Sequence, residues 1–173
     1  MTKLSLVPLI CVLMLVSCDS EQDLRAQRAQ RNIQLVERLH SEVWSGGNVD
    51  LLDELIGDNY VKHWAAYEPT IGRKALKEAV VGWRTSFPDW NEQIEAIEAS
   101  GDMVFARWTE TGTFETDLAG IKANGNTVEI GAMGWFRFEN DKIVEEWTII
   151  DNWGTQVHLD VTYPEEWLET GWK

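Results

Sequence analysis

The stretch Lys142–Asp151, KIVEEWTIID, decides how the rest of the chain is read. Side chains alternate across an extended strand, so Ile143, Glu145, Trp147, Ile149 and Asp151 share one face. That face ends in a carboxylate. Asp151 either reaches solvent at a sheet margin or sits in a pocket where desolvation raises its pKa toward a general base's range. The preceding segment, Thr127 to Phe138, reads as a second strand, and Asn140-Asp141 between the two is turn chemistry. With a two-residue hairpin loop there, Trp147 lies opposite Gly134 and Glu145 opposite Phe136. The inner face then carries Ile130, Ala132, Gly134 and Phe136 on one strand and Glu145, Trp147 and Asp151 on the other. Gly134 leaves room for a ligand or a closely packed ring. Met133, Trp135 and Arg137 fall on the outer face with Val144, Thr148 and Ile150. An apolar patch there predicts a homodimer.

Upstream, Asn91 to Ser100 and Met103 to Thr113 complete a four-stranded antiparallel run, broken by turn signals at Gly101-Asp102 and Asn124-Gly125. Before it the pattern is helical. Ile33, Val36, Leu39, Val43 and Trp44 recur at spacings of three and four, and Gly46-Gly47 stops the helix. Asn48 caps a short second helix through Ile56, closed by Gly57. Tyr60-Val61-Lys62-His63-Trp64 is a short extended piece. A third helix presents Leu76, Ala79, Val80, Trp83 and Phe87 on one apolar face before Pro88 ends it. Short helices followed by a meander of long strands define an α+β fold with three N-terminal helices packed on a curved antiparallel sheet.

The chain has 173 residues, 44% of them hydrophobic, enough for one domain with a sizeable core. A net charge of −14 excludes a nucleic-acid partner held by phosphate contacts and disfavours electrostatic adsorption to anionic lipid. Met1-Thr2-Lys3 followed by the apolar run Leu4 to Val16 reads as a secretory signal, residues 1–17, too short to span a membrane comfortably. It ends in Leu15-Val16-Ser17-Cys18, which resembles the lipobox of bacterial lipoproteins. The resemblance implies cleavage before Cys18, lipidation of its thiol, and a place in the bacterial envelope. Asp19 resembles the residue that retains such proteins at the inner membrane, on the periplasmic side of a Gram-negative host. Residues 18–30 then form a polar tether, 31–155 the domain and 156–173 a C-terminal tail. With Cys11 removed and Cys18 acylated, the mature domain has no free thiol and no disulfide.

Phe87-Pro88-Asp89, the Gly101-Asp102-x-Val104-x-Ala106-Arg107-Trp108 run, Gly112-Thr113 and the spacing from Arg137 through Trp147 to Asp151 together resemble the SnoaL-like polyketide cyclases of the nuclear transport factor 2-like superfamily. The resemblance covers roughly Ile33 to Asp151. It implies a cone of helices around a curved sheet, a deep apolar cavity, and an acid/base Asp that closes polyketide rings by aldol condensation. That Asp corresponds to Asp151, and a His after the first short strand corresponds to His63. The chain departs from the pattern at Phe114, where many members carry His, and at Ala123-Asn124-Gly125, where they carry Pro-Thr-Gly. Limonene epoxide hydrolases share the cone but use two Asp and an Arg, and Arg107 has no adjacent carboxylate on its strand.

The candidate catalytic residues are therefore Asp151 and His63. Candidate ligand contacts are Trp64, Trp83, Phe87, Arg107, Phe136, Glu145 and Trp147. Each has a plainer alternative: His63 bonds a backbone group at a strand end, Arg107 pairs with an acid such as Glu145, and the ten Trp residues serve as core and interface. No cofactor and no metal are expected. Two functions stay open. One is an enzyme in which Asp151 takes a proton α to a carbonyl while His63 or Arg107 stabilises the enolate. The other is a lipoprotein that holds a small apolar or aromatic molecule at the membrane surface without turning it over.

Overall fold

A computed structural model describes residues 7–65, 68–118, 120–151, 154–156 and 159, with only the backbone of 7–20. The expected signal, the thiol of Cys18 and most of the C-terminal tail lie outside the described residues. Helix α1 runs Val7–Arg38 and continues into a wider, π-type turn at Leu39–Ser45. It thus passes unbroken through the segment expected to be a tether. Glu, Gln, Arg and Ala dominate that segment and are strong helix formers, and Arg25 pairs with Glu21 one turn away at 2.6 Å. Among the described residues no helix is long and apolar enough to cross a membrane.

After a 3₁₀ turn at Val49–Leu51 comes α2, Leu52–Leu55. It ends one residue early: Ile56 and Gly57 open strand β1, Ile56–Trp64, where Ile56 pairs with Ile143. A short β2, Thr70–Ile71, and helix α3, Arg73–Ser86, follow. The last four strands are β3 (Asn91–Ser100), β4 (Met103–Thr113), β5 (Thr127–Glu139) and β6 (Lys142–Ile150). The fold is α+β with helices packed on a curved sheet. The sheet is six-stranded and mixed rather than purely antiparallel, in the order β2-β1-β6-β5-β4-β3. The extended piece at Tyr60–Trp64 lies in the sheet interior, parallel to β6, and everything from β2 to β5 serves as the long crossover such a pair requires.

The β5–β6 hairpin settles which face is which. Asn140 and Asp141 both have positive φ, 50° and 58°, the signature of a two-residue turn that matches strand twist. Glu139 pairs with Lys142 and Phe138 with Ile143, as the loop predicts. A bulge then intervenes: Arg137 pairs with Glu145, and Val144 is the extra residue. Ile143 and Val144 are consecutive and both buried. Beyond the bulge every pairing differs by one residue from the plain hairpin, so Phe136 faces Glu146, Trp135 faces Trp147 and Gly134 faces Thr148. A slip of one residue moves a whole strand's side chains to the other face. Glu145, Trp147 and Asp151 therefore belong to the outer face, and Glu146, Thr148 and Ile150 to the inner, while the bulged Val144 packs against Gly57.

A bulge also explains β3. Ile94 pairs with Trp108 and Ile97 with Ala106, with a register shift between Ile94 and Ala96. Two apolar residues three apart thereby share one face. The main core gathers Val36, Leu39, Val43, Leu52, Leu55, Leu76, Val80, Val104, Trp108 and Phe136 between helices and sheet. Burying each large apolar side chain contributes about 1.5–3 kcal/mol. A second cluster joins Phe87, Trp90, Phe114, Val128, Ile130 and Leu159. Phe114 stacks on Phe87 at 5.2 Å, so the position where family members carry His is filled here by core packing.

Candidate functional site

Several residues expected at an active site lie instead on the outer face of the sheet. His63 places Nε2 2.9 Å from Glu145 Oε1 and stacks its ring on Trp147 at 5.2 Å. Arg137, through Nε at 2.8 Å, is the arginine that pairs with Glu145. The hydrogen bond to His63, aided by Arg137, holds the Glu145 carboxyl below the usual range against the opposing effect of burial. Arg107 pairs with Glu95 rather than with Glu145. Asp151 is exposed, and its Oδ1 accepts the Gly154 N–H at 2.9 Å, capping the turn that follows β6. It is open to solvent rather than enclosed in a pocket.

The other candidates face inward but are scattered. Phe136 is fully buried in the main core. Trp64 is half-buried, with Nε1 donating to Thr70 Oγ1 at 3.1 Å. Trp83 and Phe87 stack at 4.9 Å within the second cluster. Gly134 does admit a closely packed ring: a Cβ there would meet the Trp108 indole at 3.3 Å.

What the fold brings together inside is a different set of polar groups. On the inner face of β1 and β6, the Glu146 carboxylate meets Lys62 Nζ at 2.7 Å and accepts Tyr60 OH and Thr148 Oγ1, each at 2.6 Å. Glu146 and Lys62 are 2% and 3% exposed. Burial opposes the charge on Glu146, yet Lys62, Thr148 and Tyr60 hold its carboxyl below the usual range. Burial, with the charge of Glu146 beside it, pushes the Tyr60 phenol well above its ordinary value. The Lys62 ammonium lies over the Trp64 ring at 4.1 Å and the Trp44 ring at 5.0 Å.

A second group joins the first turn after α1 to β3 and β4. His40 Nδ1 is 2.6 Å from Glu92 Oε2, and both side chains are about 95% buried. A carboxylate only accepts, so Nδ1 carries the proton. Trp90 Nε1 donates to the other Glu92 oxygen at 3.1 Å. Ser45 locks this arrangement, donating to the His40 carbonyl at 2.9 Å and accepting the Glu92 N–H at 2.8 Å. The His40 ring packs on Trp108 at 4.5 Å and edge-on to Phe136 at 5.8 Å. Its Nε2 is buried with no hydrogen-bond partner among the described residues. Directly across from Glu92 on β4 stands Glu110, which accepts Trp108 Nε1 at 2.8 Å. Burial, reinforced by the charge of Glu92, raises the Glu110 carboxyl to about 8. At neutral pH Glu110 is therefore a neutral acid.

Some of this was open to sequence reasoning. Glu110 continues the Val104, Ala106, Trp108 alternation, so a carboxylate on an apolar face was visible there. His40 lies on the apolar stripe of the first helix beside Leu39. Glu146 carried no such signal, because its face depends on the bulge. Among the described residues no three His, Cys, Asp or Glu side chains are arranged to hold a metal ion.

The model of the SnoaL-like polyketide cyclases matches residues 34–158, and the chain belongs to that family. No curated protein sequence matches it at a significant level. Among solved structures it is similar to IdmH, a candidate polyketide cyclase from Streptomyces antibioticus, with 26% identity over 75% of this chain and 99% of that one and a TM-score of 0.65. A SnoaL-like polyketide cyclase candidate from Jannaschia sp. CCS1 aligns with a TM-score of 0.72 and 18% identity, covering 78% of this chain and 95% of that one. An epoxide hydrolase of the LEH-like type from M. tuberculosis shares the fold at 16% identity and a TM-score of 0.63, over 76% and 90% of the two chains. The fold thus serves proteins described by different chemistries, and activity has to be argued from this chain's own interior.

Proposed function

We propose that this SnoaL-like protein is a cofactor-independent acid–base enzyme acting on a small enolisable carbonyl compound, with His40 as the base. The observation that carries this reading is the buried imidazole whose Nδ1–H is held by Glu92 and whose Nε2 has no partner among the described residues, set against the rings of Trp108 and Phe136. An orphan buried polar atom costs about 1–3 kcal/mol, and a substrate C–H or O–H offered to it recovers that cost. The proton α to the carbonyl passes to Nε2 while the C–H electron pair shifts toward the carbonyl oxygen. Glu92 orients the ring and stabilises the imidazolium. Glu110, neutral at pH 7, offers an O–H to the developing oxyanion. Attack of the enolate on a second carbonyl forms a C–C bond, and the resulting alkoxide takes up the proton. That outcome is aldol cyclisation, in keeping with the family. The base is assigned to His40 rather than Asp151 because only His40 is desolvated.

Deuterium uptake at the α-carbon of an aromatic 1,3-diketone, followed by NMR, tests the reading. Wild type is expected to accelerate exchange over buffer, and His40→Gln to lose roughly 10²–10⁴-fold while quenching of Trp fluorescence by the diketone persists. Binding with no acceleration by wild type rejects the enzyme and leaves a binding protein.

A membrane attachment through Cys18 is also inferred, supported by the Leu15-Val16-Ser17-Cys18 box and by the polar, exposed helix that follows it from Glu21. Stable anchoring takes two acyl chains, which a diacylated thiol supplies. Cys18→Ala is expected to move the protein into the soluble fraction. Retention of that variant on membranes at high salt, with no acyl mass on wild type, rejects the anchor.

A further inference from the structure

We infer that Lys62 is the electrophile that holds the substrate's oxygen as it becomes an anion, so that the ligands of this site are compounds with an enol or phenol oxygen able to ionise. The inference rests on the acid–base reading of the same interior and extends it to the substrate class. Within the ion pair the donors and acceptors are unevenly matched. Glu146 receives Lys62, Tyr60 and Thr148, three partners on one carboxylate. Lys62 has three N–H donors and, among the described residues, meets one oxygen, with the faces of Trp44 and Trp64 beside it. A ring face attracts an ammonium but accepts a hydrogen bond far less well than an oxygen does. The carboxylate is close to saturated, whereas the ammonium keeps donors for an incoming oxygen.

Position supports the assignment. Trp44 follows His40 by one turn in the Leu39–Ser45 segment, so the ammonium above its indole sits beside the stretch of helix that carries the base. Glu110, on β4, lies near enough to feel the charges of both Glu92 and Lys62. Lys62 is the only lysine or arginine among the buried described residues, in an interior that also holds Glu92, Glu110 and Glu146. An oxyanion entering this interior is repelled by carboxylate charge and attracted by that ammonium, which adds a full positive charge to the O–H that Glu110 offers. A buried charge also acts at higher strength than one in water, because the effective dielectric around it is lower.

The test uses the full-length protein and 4-nitrophenol, whose phenolate is read by visible absorbance without any turnover. The fraction of bound probe that is ionised is measured against pH. On wild type the bound phenol is expected to ionise at least one pH unit below the free one, a tenfold preference for the anion. Lys62→Met alone strands the Glu146 charge and can unfold the chain, so the comparison uses the double variant Lys62→Met with Glu146→Gln. That variant is expected to lose the preference. The base assignment is read separately, by the loss of deuterium exchange in His40→Gln, whereas the role of Lys62 is read only from the phenolate preference of wild type and the double variant. Failure of wild type to bind phenolate preferentially, or an unchanged preference in the folded double variant, overturns the role of Lys62.

Discussion

Glu110 sits where two carboxylates on neighbouring strands face each other, and the pair can remain buried because one member keeps its proton. This has a consequence for stability. In the unfolded chain Glu110 ionises in the ordinary carboxylate range, whereas in the folded protein it ionises at about 8. Between those values the unfolded state has released a proton that the folded state retains, so stability falls as pH rises through that window. Below the unfolded value the contribution is fully present; above about 8 it is lost. Glu110→Gln keeps the shape and removes the titration. Urea midpoints should fall with pH in wild type and run nearly flat in the variant, the difference amounting to a few kcal/mol in order of magnitude. Equal slopes for the two proteins would show that Glu110 is ionised in the native state.

At the scale of elements, the β5–β6 hairpin is partly local and partly not. Its loop is local: Asn140 and Asp141 tolerate left-handed backbone better than most residues, and the two-residue turn follows from them. Glycine adopts φ of 58° without the Cβ cost, so Asp141→Gly is expected to stabilise by about 0.5–1 kcal/mol. A higher urea midpoint at unchanged slope is the expected result, and a lower midpoint would mean that Asp141 makes a contact worth more than the strain. The bulge at Val144 is not local. Nothing in Lys142–Asp151 requires an extra residue there. It follows from β6 pairing with β5 on one side and β1 on the other while Val144 packs against Gly57, where a Cβ would approach Val144 Cγ1 to 2.8 Å. The helices show the same division. Their apolar stripes and stops are legible in sequence, but α1 extends through residues 18–30 because its helix formers outweigh the polar, tether-like composition.

At the scale of the molecule, the bulge moves Trp147 to the outside, where it completes a row of rings. Phe105, Trp135, Trp147 and His63 lie directly opposite one another across β4, β5, β6 and β1, with successive ring centroids 6.4, 6.2 and 5.2 Å apart. Phe105 is 43% and Trp135 38% exposed, and Met133 and Ile149 extend the patch. Each flank carries an arginine–glutamate pair, Arg137–Glu145 on one side and Arg107–Glu95 on the other. A two-fold axis through the aromatic row buries the same rings on both copies, as an isologous interface does. The expected occupant is therefore a second copy of this chain. Light scattering should report a dimer at micromolar concentration, and Trp135→Glu, which buries a charge if the ring is covered, should cost about 2–4 kcal/mol and give monomers. A monomeric wild type would remove the interface.

By itself the sequence determined the α+β class, the hairpin turn, most strand boundaries and the family, because these rest on local propensity, turn chemistry and residue spacing. Tertiary structure decided which carboxylate lies inside. Alternation has a period of two, so one bulged residue exchanged Glu145, Trp147 and Asp151 for Glu146, Thr148 and Ile150 on the inner face. It also decided that His40 meets Glu92, 52 residues away, since that contact exists only where the turn after α1 packs on β3. Desolvation makes such groups chemically useful, and it is a property of the packed interior that spacing along the chain does not encode.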